Sequence, residues 1–113
     1  WMSAPSLLKK WQDEVFTFLS KTPAVAGKSL TVVTTTGSEY EAYRSGGRNR
    51  FTMDELLRPY QVSAIHSGMS WQTPIVVYGM GTADAGKNIA EGANLYKQRV
   101  EMLIGSSNAG NNW

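Results

Sequence analysis

The sequence predicts an α/β domain in which helices cover a parallel β-sheet. Two β-branched runs, S-L-T-V-V-T-T-T-G at residues 29–37 and I-V-V-Y-G at residues 75–79, are short, apolar and closed by glycine, as expected of strands buried in a parallel sheet. The segments around them repeat apolar residues at three- and four-residue intervals, the helical spacing. The resulting order of helix, strand, long loop, helix, strand and helix calls for the crossovers that join parallel strands. At 113 residues the chain is within the size of one domain.

Each element has its own signals. The first helix is expected to follow Ser3 or Ala4 at the N-cap, with Pro5 in the first turn, where its missing N–H costs nothing. Leu8, Trp11, Val15 and Phe18 or Leu19 form its apolar stripe, which places Trp11 in the core, and Pro23 marks the connection beyond it. After the first strand, residues 38–50 read as a long irregular loop containing Gly46 and Gly47. Thr52 and Glu55 form a capping box, and Phe51 can staple onto Leu56. Leu57, Tyr60, Ala64 and Ile65 form the next stripe, with Gly68 as the terminating glycine. Pro59 either kinks this helix or opens a second one. Beyond the second strand, Thr82 or Asp84 caps a last helix whose face runs through Ile89 or Ala90, Ala93, Tyr96, Val100 and Leu103 or Ile104. This helix is expected to end before Gly105, leaving residues 106–113 as a flexible tail.

Composition removes several kinds of chemistry. With no cysteine and one histidine, His66, thiolate catalysis and the usual zinc sites are excluded, and no metal site is expected. Redox chemistry would have to come from a bound cofactor. A net charge of +2, with basic residues gathered only at Arg44, Arg48 and Arg50, does not make a nucleic-acid stripe. No apolar run is long enough for a membrane-spanning helix, and a cytoplasmic location is the expectation. The spaced glycines of a P-loop or a dinucleotide fingerprint and the active-serine elbow are all absent.

The best site candidate is the strand end T-T-T-G-S, residues 34–38, because ligands of open α/β sheets gather beyond the carboxyl ends of strands. Hydroxyls of Thr35 and Thr36 and the N–H groups around Gly37 can hold the polar edge of a planar ring. They are equally ordinary strand and turn residues. Tyr43 can donate a hydrogen bond to a ring oxygen or can simply pack on the domain. Arg48 and Arg50 can grip a nucleotide phosphate or stand as solvated loop charges. Trp1 and Met2, ahead of the first helix, suit a flat ligand. His66 reads as a structural or surface residue.

Residues W-x-S-x-P-S-L-L-K-K-W-x-D-x-V-F, L-T-V-V-T-T-T-G, F-T-M-D-E-L-L-R-P and I-H-S-G-M-S-W-Q-T-P-I-V-V-Y-G, with Tyr96 and Arg99 in the last helix, resemble the flavodoxin-like NAD(P)H dehydrogenase (quinone) family. That family includes DT-diaphorase and the ancillary oxidoreductases of glutathione-gated potassium efflux systems. The resemblance implies a flavodoxin-like three-layer sandwich on a five-stranded parallel sheet. Residues 1–113 are then expected to be the C-terminal portion, with the last two strands and their helices, while a preceding half carries three strands and the loop that grips the flavin phosphate. It implies a flavoprotein oxidoreductase, a quinone reductase in which FMN or FAD passes two electrons from NAD(P)H to a quinone. The expected assembly is a homodimer. Trp1, Met2 and Ser3 match the loop along the flavin ring, Thr35, Thr36, Gly37 and Ser38 the segment at its polar edge, and Tyr43 the tyrosine near the hydride-transfer site.

The chain departs from the family pattern at Asn49, where the diaphorase branch has a histidine. Asparagine hydrogen-bonds but is no acid at neutral pH, so the proton falls to Tyr43 and solvent. The loop between Phe18 and Gly27 is also short. Two rivals follow from the same resemblance: an ancillary regulatory subunit that binds a potassium-efflux transporter at the inner membrane, and an inactive truncated fragment.

Overall fold

The computed structural model describes residues 2–110. The expected element order holds, except that the first strand run is divided in two and a short strand at Ser70–Trp71, not anticipated, precedes the second. Helix α1 (Ser6–Trp11) continues through a π-helical stretch (Gln12–Phe16) into α2 (Thr17–Leu19). Strands β1 (Ser29–Leu30) and β2 (Val33–Thr35) lead to the long loop, which contains a 3-10 turn at Tyr40–Ala42. Helices α3 (Met53–Leu56) and α4 (Arg58–His66) follow, then β3 (Ser70–Trp71), β4 (Ile75–Val77) and α5 (Ala85–Gly110). Both strand pairs are parallel: β1 lies beside β3, and β2 beside β4 with Val33 opposite Ile75 and Thr35 opposite Val77. Pro74 has no N–H to give a ladder and separates β3 from β4.

The described residues form two compact units, one from residues 2–30 and 54–72, the other from residues 31–53 and 73–110. In the first unit the helical N-terminus is shifted from its expected place. Pro5 is itself the cap, extended at φ −56° and ψ 147°, and its carbonyl accepts the N–H groups of Leu8 and Lys9 at 3.0 and 3.4 Å. The π-helical stretch lets the Thr17 hydroxyl donate to the Gln12 carbonyl five residues back, at 2.9 Å. The apolar stripe of this helix is not buried: Leu8, Trp11, Val15 and Leu19 are all exposed, and Phe18 is 79% exposed. Trp11 is no core residue; it stacks on Phe16 with ring centroids 5.6 Å apart. Periodicity gives the side of a helix that is apolar, and this unit supplies no cover for it.

Helix α4 follows the pattern more closely. Leu57 forms the break between α3 and α4 at φ −93° and ψ 4°, and Pro59 sits in the first turn of α4, so the two-helix alternative holds. Leu57 and Ala64 are buried and Tyr60 is half-buried, whereas Ile65 is exposed. Gly68, at φ +71°, ends the helix as expected, with its N–H on Ile65 and the Met69 N–H on Ala64.

In the second unit β4 buries Ile75 and Val77. Strand β2 was expected to be covered on both faces, yet Val33 and Thr35 are exposed. Helix α5 packs on β4 through Gly92 instead of its bulky stripe: a Cβ on Gly92 would overlap Val77 Cγ2, while Ile89, Ala93, Tyr96 and Ile104 are exposed. The missing side chain is what allows the strand this close. The Arg99 guanidinium donates to the Thr73 carbonyl at 2.7 Å and ties the helix to the approach to β4. The helix passes through Gly105, where an end was expected, and reaches Gly110. A single glycine costs a helix only about 1 kcal/mol relative to alanine. Residues 111–113 lie outside the described residues.

Gly92→Ala is therefore expected to destabilise the chain by about 1–2 kcal/mol, because overpacking outweighs the gain in helix propensity. Urea unfolding checks this, and adding Val77→Ala should recover part of the loss.

Candidate functional site

The strand end at residues 36–38 is fixed by a second loop. The Thr36 N–H donates to the Val77 carbonyl at 2.9 Å, continuing the parallel ladder. The carbonyls of Thr36, Gly37 and Ser38 then accept the N–H groups of Met80, Gly81 and Gly79, each at 2.9 Å. The second loop holds its shape through glycine: Gly79 is buried at φ +77°, and a Cβ there would lie 3.0 Å from Thr82 Oγ1 and 3.1 Å from Asn88 Nδ2. Asn88 in turn donates to the Tyr78 carbonyl at 2.8 Å, and Thr82 Oγ1 to the Gly79 carbonyl at 2.7 Å.

These contacts orient the strand end. In a trans peptide the N–H points opposite to the preceding carbonyl, and no peptide bond among the described residues is cis. With three successive carbonyls committed to residues 79–81, the N–H groups of Gly37, Ser38 and Glu39 point away from that loop. No backbone carbonyl among the described residues accepts them. Around Gly37 the space is open, with nothing within 4 Å of where a Cβ would stand. Three adjacent outward donors suit an anion or a polar ring edge.

Thr36 takes a different part from the one its hydroxyl suggested. It is buried and donates to the Ser38 carbonyl at 2.8 Å, so the hydroxyl braces the turn. Thr35 is exposed on β2, and Ser38 is half-buried with its Oγ accepting a hydrogen bond from the Arg48 guanidinium. Tyr43 is 7% exposed, and its ring lies 5.8 Å from that of Tyr78, which also meets Tyr40 edge-on at 5.3 Å. Tyr43 thus packs in a tyrosine cluster beyond the ends of β2 and β4, while Tyr40 is 58% exposed at its margin. The half-buried Asn49 anchors the loop by donating its backbone N–H to the Ala42 carbonyl at 2.9 Å.

Gly47 fits closely under the 3-10 turn, since a Cβ there would overlap the carbonyl oxygens of Glu41 and Ala42. Arg50 completes the loop at φ +63°, with its N–H on Gly47 at 3.1 Å. Met2 and Ser3 belong to the other compact unit, where both are exposed, and Trp1 lies outside the described residues. The sequence reading missed the 79–81 loop, Tyr78 and Tyr40. Their only signal was position, an aromatic and two glycines directly after one strand end and an aromatic after the other.

A family model described as flavodoxin-like fold matches residues 1–100. The chain belongs to this flavodoxin-like family. Among curated relatives it is 40% identical over 106 residues to general stress protein 14 of Bacillus subtilis, covering 90% of this chain and 60% of the relative. It is 44% identical over 80 residues to the glutathione-regulated potassium-efflux system ancillary protein KefG of Serratia proteamaculans, covering 67% and 44%. Two solved structures are also similar. One is general stress protein 14 of Treponema denticola in complex with FMN, with 27% identity, a TM-score of 0.78, and coverage of 91% of this chain and 60% of that one. The other is an NADPH-quinone reductase from P. pentosaceus, with 31% identity, a TM-score of 0.70 and coverage of 81% and 58%. The chain spans 44–60% of the length of these proteins. Among the described residues no helix is long and apolar enough to cross a membrane.

Gly47→Ala is expected to lift the 44–50 segment from the 3-10 turn. Amide hydrogen exchange should show the Asn49 N–H losing protection at least tenfold, corresponding to about 1.4 kcal/mol of local opening.

Proposed function

We propose that this chain is the flavin-ring-binding part of an NAD(P)H oxidoreductase whose acceptor is a quinone or a similar electrophile. The observation that carries this reading is the outward N–H array of Gly37, Ser38 and Glu39, held by the hydrogen bonds from residues 79–81. Fixed N–H donors at residues 37–39 would hold the carbonyl and nitrogen acceptors along one edge of a flavin ring and would favour negative charge there. When bound, the flavin supplies the two-electron chemistry between a nicotinamide donor and the acceptor. FMN is the form supported by the complex of the Treponema relative, and a quinone-like acceptor is supported by the similarity to the NADPH-quinone reductase.

In this reading the chain's residues divide the work. Gly37, Ser38 and Glu39 orient the ring edge, and Thr36 keeps their turn closed. Tyr43 and Tyr78 form an aromatic wall. Asn49 can hydrogen-bond but cannot release a proton, so Tyr43 and solvent provide for the proton. The five-stranded sheet and the homodimer implied by the resemblance belong to the same proposal. A second, surface role toward a transporter is favoured only by the similarity to the potassium-efflux ancillary protein, and transporter gating without turnover would mark it.

Titration of the chain with FMN, followed by fluorescence quenching, tests the main reading. Saturable binding in the micromolar range or tighter is expected, with NADPH-dependent quinone reduction by the loaded protein. Absence of binding up to high micromolar FMN would contradict it. Gly37→Ala keeps the N–H and should bind almost normally, whereas Gly37→Pro removes the donor and should weaken binding by about tenfold or more, the value of a charge-assisted hydrogen bond. Thr36→Val should cost about 1 kcal/mol of stability and weaken FMN binding less than Gly37→Pro does, because its hydroxyl braces the turn and does not face the ring.

A further inference from the structure

Resting on the flavin reading above, we infer that Arg48 is a positioning and charge-compensating residue that makes the site bind the reduced ring more tightly than the oxidised one. Its guanidinium donates to Ser38 Oγ, and the Ser38 N–H is the middle member of the outward array. The cation is therefore tethered at the residue that carries the middle donor of the array. Serine is neutral, so the contact orients the guanidinium without neutralising it, and the remaining N–H donors of its fork are left for other acceptors.

The backbone that carries Arg48 is held on both sides. Gly47 is seated under the 3-10 turn, and the Asn49 N–H is bonded to Ala42. The adjacent Arg50 occupies a left-handed conformation that closes the loop. A long side chain thus starts from a fixed point and is caught again at Ser38.

A hydride brings two electrons and one proton, so a neutral ring that accepts it and takes up no second proton carries one additional negative charge. A nearby cation is attracted more strongly to that form than to the oxidised one. Arg48 is exposed, and water and salt reduce its field. The expected preference is accordingly modest, about tenfold in relative affinity, which for a two-electron couple corresponds to about 30 mV.

The test compares the FMN-loaded wild-type chain with Arg48→Gln, Arg48→Lys and Ser38→Ala by spectroelectrochemical titration, alongside direct titration with oxidised FMN. Arg48→Gln is expected to lower the two-electron midpoint by about 30 mV at low salt while affinity for oxidised FMN stays nearly unchanged. Arg48→Lys should fall between, and adding Ser38→Ala to Arg48→Gln should lower the potential no further. Raising salt should shrink the difference between wild type and Arg48→Gln. An unchanged potential in Arg48→Gln with FMN still bound overturns the assignment, as does equal weakening of both redox forms. Failure of the wild-type chain to bind FMN removes the flavin reading and overturns this inference with it.

Discussion

Three hydrogen bonds from the N–H groups of residues 79–81 to the carbonyls of Thr36, Gly37 and Ser38 organise the candidate site. They extend the contact between β2 and β4 past the last ladder pair, Thr35 and Val77, into the two loops that follow. By engaging the carbonyls they decide where the opposing N–H groups face. Every other feature of the site is arranged around that choice: Gly79 permits the loop geometry, Asn88 and Thr82 brace it from α5 and its approach, and Thr36 closes the turn from within.

Glycine recurs at the points of closest approach. Gly81 faces the Gly37 carbonyl, Gly92 admits Val77, and Gly47 lies against the carbonyls of the 3-10 turn. In each case a backbone or a strand occupies the place where a side chain would stand. The site consists largely of main-chain groups, so its chemistry depends on loop conformation more than on reactive side chains. That agrees with a chain that has no cysteine and a single histidine, in which a bound cofactor would supply the reactivity.

Much of this was legible in the sequence. The two β-branched runs gave β1, β2 and β4 but not the short β3, and Gly68 gave the end of α4. The strand-end motif T-T-T-G-S marked the turn that residues 79–81 hold, and the quoted segments pointed to a flavodoxin-like fold, which the family match over residues 1–100 bears out. Other features depended on tertiary context. The stripe through Leu8, Trp11 and Phe18 identified an apolar side but not whether anything covers it. On α5 the smallest residue, not the most apolar, marks the packed face. The role of Thr36 was invisible because a threonine hydroxyl at a strand end can turn toward a ligand or toward its own turn. The Arg48 contact with Ser38 spans ten residues of irregular loop, for which periodicity has no signal.

Backbone amide NMR during an FMN titration tests the central claim most directly. The account predicts that the amides of Gly37, Ser38 and Glu39 exchange freely in the unliganded chain and shift on FMN addition, while those of Gly79, Met80 and Gly81 are protected and remain so. Protected amides at residues 37–39 before FMN is added, or FMN binding that leaves these three resonances unmoved, would contradict it.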